Sequence, residues 1–310
     1  MSGRGAAITG WGTALPEKVL TNHDLEQTLD TSDSWIVERS GIRQRYVGGM
    51  TSDLAIEASQ QALERAGLAP ADIGLLILAT TSPDQTVPAT SAAVQDRLGL
   101  SCGAFDINAA CSGFVYSLVV ANGLVDTGVD KILVVGAESL SRITDWTDRG
   151  TAVLFGDGAG AVVLEAESNG SHLLGFDLGA DGAARGILFA DVGDKIKMEG
   201  KEVFRRAVRV MVESANAAME RAKVTADDIA LYVPHQANIR IIDAALGRLG
   251  LTMDKTAVNI QKTGNTSSAS IPMALAEAVD EGRVKDGDLV LLSGFGAGMT
   301  WASAVWRWGR

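Results

Sequence analysis

The feature that most constrains this chain is that it repeats itself. "RAGLAPADIGLLILATT" at 65–81 lines up with "RAKVTADDIALYVPHQA" at 221–237, and "ACSGFVYSLVVANGLVDTGVDKILVVGAES" from 110 is echoed by "SASIPMALAEAVDEGRVKDGDLVLLSGFGAG" from 268. The offsets are 156 and about 158 residues, with the segments in the same order, as duplication of one unit produces. Within each copy, runs such as "GLLILAT" and "KILVVGAE" are short, continuous and rich in branched residues, the pattern of strands covered on both faces. Between them, "SDLAIEASQQALERAG" sets Leu54, Ile56, Ala58, Ala62 and Leu63 on a stripe returning every three or four residues, which predicts an amphipathic helix. Alternation of this kind gives layered α/β. "GDGAGAVVLEA" and "GFGAGMTWASAVWRW" are expected to close the halves, each with a Gly-rich turn and a strand, and the Ser, Asn and Gly cluster at 168–171 sets the expected boundary between residues 1–169 and 170–310.

Composition narrows the function. A chain of 310 residues, 46% of them hydrophobic, can bury a large core without staples. Its start carries neither a secretory nor a transit pattern, and every apolar run is interrupted before membrane-spanning length, so a soluble cytoplasmic protein is expected. The net charge of -11 repels polyphosphate and argues against a nucleic-acid partner. Two cysteines, Cys102 and Cys111, make no disulfide framework and lack zinc-site spacing, so no metal is expected.

Cys111 stands where "AFDIN" reads as a strand and "SGFVYSLVVANGLV" as a helix without charge until Asp126. Unpaired N–H groups at a helix start favour a thiolate, whereas apolar burial opposes it. Of the three histidines, His23 lies in a polar segment and His172 opens a strand. His235, in "LYVPHQANIRIID", follows a buried strand and comes with Gln236, Asn238 and Arg240 at the next helix start, where α/β proteins place their chemistry. Asn265, in "TGNTSSASIPMAL", sits in a Gly-Asn turn before a Ser/Thr run. By the repeat, this helix start is the counterpart of the one at Cys111, so a pseudo-twofold axis would bring Cys, His and Asn together.

With these motifs, and with "TSDSWIVERSGIR", "TDRGTAVLFGDGAGA" and "GFGAGMTW" in order along nearly the whole chain, the sequence resembles the β-ketoacyl-acyl carrier protein synthase III family of the thiolase superfamily. The resemblance implies a five-layered αβαβα fold of two pseudo-symmetric halves, a homodimer, and a catalytic triad of Cys111, His235 and Asn265. The backbone N–H groups of Cys111 and Ala297 would form an oxyanion hole. The implied reaction is decarboxylative condensation of an acyl-CoA with malonyl-acyl carrier protein, initiating fatty acid synthesis with no cofactor, coenzyme A being part of the substrate. Trp35, Arg39, Arg149, Asn238 and Arg240 would contact coenzyme A; Trp35 and Arg39, four residues apart, could share a helix face. Val87 stands where straight-chain-specific members carry an aromatic residue that closes the acyl pocket across the dimer, which leaves branched or longer primers open. Arg205, Arg206, Arg209, Arg240 and Arg248 would form the basic face that docks an acidic carrier protein. The segment 180–198 is shorter than usual for the family. The competing readings are a Cys-His-Asn acyltransferase of secondary metabolism with a different acceptor and a non-catalytic acyl-binding partner subunit. A thiolase would need a second cysteine near "GFGAGM", which has none.

Overall fold

The computed structural model describes residues 4–168 and 170–309, and in it each repeat builds a sheet with the same strand order. Strands β1 (Gly5–Ala14), β2 (Leu75–Ala79), β3 (Gly103–Ile107), β4 (Lys131–Ser139) and β5 (Asp157–Glu167) lie in the order β1-β5-β4-β2-β3. Strands β6 (Leu173–Ala180), β7 (Ile229–Pro234), β8 (Leu289–Gly296) and β9 (Thr300–Arg307) lie in the order β6-β9-β8-β7. In both sheets one inner strand, β4 or β8, pairs parallel with β2 or β7 and antiparallel with β5 or β9, whose own outer pairing, to β1 or β6, is antiparallel too. The first sheet has one strand more, β3, parallel to β2 and unpaired on its outer side. The expected boundary falls on Asn169, which lies outside the described residues.

Among the described residues, seven helices of eight residues or more complete the scaffold: α1 (Asp33–Ser40), α2 (Thr51–Ala66), α3 (Thr90–Leu98), α4 (Gly113–Asp126), α5 (Gly200–Ala222), α6 (Ile239–Leu249) and α7 (Ser270–Asp280). Helices α4 and α7 lie between the sheets. Phe114, Val115 and Leu118 of one and Ile271, Ala274 and Leu275 of the other share a core with Ile77 and Val134 of the first sheet and Val233 and Leu292 of the second. That position accounts for most of α4 being apolar, since its buried faces have no place for a charge; Val120 and Gly123 are its exposed positions ahead of Asp126. Each large side chain buried there stabilises the fold by roughly 1.5–3 kcal/mol. The expected stripe of α2 packs on the outer face of the first sheet with Val94 and Leu98 of α3, and α5 and α6 cover the outer face of the second. The order is αβαβα, as the resemblance implied.

"GDGAG" departs from expectation. Its residues from Asp157 onward lie within β5 and make no turn. The glycines serve packing: a Cβ on Gly160 would stand 2.7 Å from the Pro272 side chain, so their absence lets α7 lie close on the strand.

Candidate active site

The turn that carries Cys111 and its counterpart in the second half are built alike. Asn108 Oδ1 accepts the N–H of Ala110 (3.2 Å), and Asn265 Oδ1 accepts that of Ser267 (2.9 Å). Ala110 and Ser267 then take the left-handed conformation, φ +48° and +47°, and a single 3-10 turn leads into α4 or α7. Cys111 sits in the first of these turns, two residues ahead of α4. Strand β8 is glycine-rich because this turn lies on it: a Cβ on Gly296 would come within 2.5 Å of the Cys111 nitrogen. Thr300 Oγ1 donates to Ala109 O (2.8 Å) and lies 2.9 Å from Ser112 Oγ, tying the turn to the Gly-rich loop of the second half.

Cys111 lines two cavities, one of about 140 Å³ with His235, Asn265, Phe204, Asn238 and Phe295, the other of about 460 Å³ with Ser267, Ala297, Leu140, Phe155, Leu188 and others. The three residues singled out in sequence therefore meet on the narrower one, and Ala297 lies on the wider. Burial pushes the Cys111 thiol up to about 12, helped by the negative charge of Glu138 and opposed by the Ser267 hydroxyl. The thiolate-favouring influence expected of the helix start is thus outweighed in the free protein, because the turn is 8% exposed and water is lost from the charged form.

His235 follows β7, its N–H bonded to Ser293 O (2.8 Å) and its ring edge-on to Phe295 at 5.4 Å. Burial lowers its pKa to about 3, so the imidazole is neutral. Ser270 Oγ lies 2.6 Å from Nδ1 and accepts the Gln236 N–H at 3.3 Å. The serine proton is then free for Nδ1, which assigns the ring proton to Nε2. Asn265 is pinned through its backbone, donating to Leu154 O (2.9 Å) and accepting from Gly156 N (3.0 Å). Since Oδ1 is occupied by Ser267, the amide group left for the cavity is its donor Nδ2. One sulfur, one neutral N–H donor and one amide donor around a cavity suit acyl transfer through a thioester, followed by stabilisation of developing oxyanion charge.

Residues 105–182 match the family described as 3-Oxoacyl-[acyl-carrier-protein (ACP)] synthase III, and residues 219–308 match its C-terminal part. The "Beta-ketoacyl-[acyl-carrier-protein] synthase III" of Geobacillus kaustophilus is 50% identical, over 99% of this chain and 100% of that protein. The chain belongs to the synthase III family. Solved synthase III structures from Aquifex aeolicus (45% identity, TM-score 0.96, 98% and 100% of the two chains) and Thermus thermophilus (49%, 0.95, 98% and 99%) are similar throughout. The thiolase-like architecture implied by the resemblance accordingly holds.

The other synthase III positions fare unequally. Arg149 and Arg39 both lie over the Trp35 ring, at 4.9 and 5.6 Å, and Arg149 also donates to Asp30 O (2.8 Å). Asn238 lines the narrow cavity, but its side chain is already engaged, donating to Arg39 O (2.9 Å) and capping α6 through the N–H of Arg240 (2.9 Å). The Arg240 guanidinium lies 5.9 Å from the Phe204 ring. Of the expected basic face, Arg205 and Arg206 are both ion-paired to Glu202, and Arg206 also to Asp181; Arg209 and Arg248 are exposed. The two arginines hold the Glu202 carboxyl down at about 2. Val87 is 81% exposed and lines neither cavity of its own chain. The short segment after residue 180 forms a 3-10 turn and the small hairpin Leu188–Phe189 with Lys197–Met198, whose Leu188, Phe189 and Ile196 wall the wider cavity.

Sequence reading missed Ser270 and Glu138. Ser270 was hidden in a Ser-rich run that reads as capping, and only the fold puts it under His235. Glu138, at the end of β4, is fully buried and accepts from the hydroxyls of Thr81 (3.0 Å), Ser82 (2.6 Å) and Ser268 (2.7 Å). In "VVGAES" it looks like any strand-end charge.

Proposed function

We propose that this chain joins an acyl group from coenzyme A to carrier-bound malonate through Cys111. The single observation that carries the reading is that one buried cysteine lines both cavities, with His235 and Asn265 beside it on the narrower. In the first step Cys111 Sγ bonds to the acyl carbon, the carbon–sulfur bond to coenzyme A breaks, and coenzyme A leaves as a thiol with the cysteine proton. The N–H groups of Cys111 and Ala297 hold the oxyanion. In the second step the malonyl thioester loses carbon dioxide, and charge gathers on its carbonyl oxygen against His235 Nε2–H and Asn265 Nδ2. The carbanion attacks the acyl carbon, and the cysteine leaves and regains a proton. Neutral donors suit this step because they stabilise charge without becoming competing acids. The chemistry calls for no metal or organic cofactor.

The narrow cavity, flanked by Asn238 and Phe204, is the pantetheine passage, and Trp35 with Arg149 and Arg39 receives the adenine end. The wide cavity takes the primer. At about 460 Å³, walled by Leu140, Ile143, Phe155, Leu188 and Ile196, it exceeds what an acetyl group needs and favours longer or branched acyl chains. The carrier protein docks on the face of Arg209, Arg240 and Arg248. A second copy pairs against the open edge of β3, where Phe105 is exposed, and brings its Val87 to the primer pocket. The enzyme works in the cytoplasm; among the described residues no helix is long and apolar enough to cross a membrane.

The test is intact-protein mass spectrometry after mixing with a panel of acyl-CoAs, followed by malonyl-carrier protein. An acyl adduct on Cys111 that disappears as 3-oxoacyl-carrier protein forms is expected. An adduct that transfers to an amine or hydroxyl acceptor instead, or no adduct with any primer, overturns the proposal.

A further inference from the structure

Ser267 carries a side chain where the backbone would prefer none. Its φ of +47° lies in the left-handed region, uncommon for a serine and easy for a glycine. The chain has 35 glycines and places several at such positions, so the retained Cβ and hydroxyl call for a reason. Packing with a polar partner is not that reason: Ser267 is 2% exposed and its Oγ is among the buried atoms without a hydrogen-bond partner of ordinary geometry. Leaving a buried hydroxyl unpaired is costly. Its counterpart in the first half, Ala110, takes the same conformation with no hydroxyl at all, so the fold of the turn does not require one. Both residues line the wide cavity with Cys111, and of the two only Ser267 brings a group that can donate a hydrogen bond to its sulfur.

We infer that Ser267 is a further catalytic residue, its hydroxyl donating a hydrogen bond to the Cys111 sulfur as that atom takes on charge. A neutral thiol is a weak acceptor, which fits a Ser267 Oγ without a hydrogen-bond partner of ordinary geometry in the free protein, whereas a thiolate is a strong one. Ser267 keeps its own proton throughout; the proton lost by Cys111 leaves with coenzyme A in the first step and is replaced from solvent after the second. Other charged or titratable groups facing the sulfur are Glu138 at the end of β4, which opposes the thiolate, neutral His235 after β7 and Arg185 across the wide cavity. Direction agrees with geometry: among side chains, Ser267 is the one whose hydrogen bonding favours the ionised sulfur.

This inference rests on the role proposed for Cys111, yet its test needs no acyl substrate. The pH dependence of Cys111 alkylation by iodoacetamide is followed by peptide-resolved mass spectrometry, which separates it from Cys102, in the wild type, Ser267→Ala and Ser267→Gly. Both variants should move the alkylation midpoint upward by about one pH unit, the size of one hydrogen bond to a charged atom. Ser267→Gly should match or exceed the wild-type thermal midpoint because it relieves the left-handed strain. Folded variants with an unmoved midpoint overturn the inference, and so does a glycine variant that restores the wild-type profile, since the backbone alone would then suffice. Failure of every acyl-CoA to acylate the wild type would sink the proposed reaction while leaving this comparison intact.

Discussion

The two halves share a turn and divide the chemistry. In both, an asparagine closes the loop, a left-handed residue follows and a buried helix begins, yet the first half presents a sulfur where the second has Ser268. In the second half His235 directly follows β7 and is met by Ser270, whereas the equivalent strand of the first ends in Ala79, and a Cβ added to Gly113, the counterpart of Ser270, would touch Ala79 at 3.2 Å. The central strands end differently too. Glu138 in β4 is caged by the hydroxyls and N–H groups of Thr81, Ser82 and Ser268, while Phe295 in β8 lies edge-on to His235. Duplication supplied the same backbone twice. In the reaction proposed above, function required the copies to diverge, because a nucleophile and the donors that stabilise a carbanion must face one cavity.

The deepest test of that division is Asn265→Ala against Asn108→Ala. The former should lower condensation by ~10² to 10³ while Cys111 acylation is largely kept, as removal of one oxyanion donor does. Asn108→Ala loses only a turn hydrogen bond, about 1 kcal/mol of stability. Stopped-flow acylation and single-turnover condensation separate the steps, and equal damage from both substitutions would erase the distinction between halves.

Glu138→Gln tests the cage. The added amide donor would face groups that already donate, so unfolding by denaturant should show a loss of about 1–3 kcal/mol. A variant as stable as the wild type would overturn this account of the cage.

His235 sharpens the contrast through pH. Its folded pKa, about 3, is below the unfolded value near 6.5, so the unfolded chain binds the extra proton first and stability falls as pH drops through that window. Between pH 6 and pH 5 this one group removes at most about 1.4 kcal/mol, a slope that His235→Gln should abolish in denaturant titrations. Above pH 9 the reverse residue is Cys111, whose raised pKa makes the folded state retain a proton and lose stability as pH rises toward 12.

The smallest effects belong to the surface. Arg149→Ala should raise KM for the acyl-CoA a few-fold, in keeping with about 0.5–1 kcal/mol for an exposed cation–π contact, and leave KM for the carrier substrate alone. Arg209→Glu should do the opposite. Steady-state kinetics in both substrates decide the matter.

Much of this was legible along the chain. The repeat gave two equivalent sheets, the uncharged run after Cys111 gave a largely buried helix between them, and three isolated motifs gave the residues that meet at one cavity. Other features were not legible because they depend on partners distant in sequence. Arg206 reads as a free charge, yet Asp181, 25 residues earlier, holds it in the fold. Asn238 read as a ligand contact, yet its amide is engaged by a helix end nearly two hundred residues earlier.

By itself, then, the sequence determined the unit, its duplication and the kinds of atom available for reaction, because periodicity and residue type are local properties. Only the tertiary structure decided their chemical state. Burial between two sheets makes the thiol reluctant to ionise and keeps the imidazole neutral, and the approach of one half's turn to the other half's glycines sets which donors each reacting atom meets. Desolvation and proximity are properties of the whole packed chain, so no single stretch of it could have announced them.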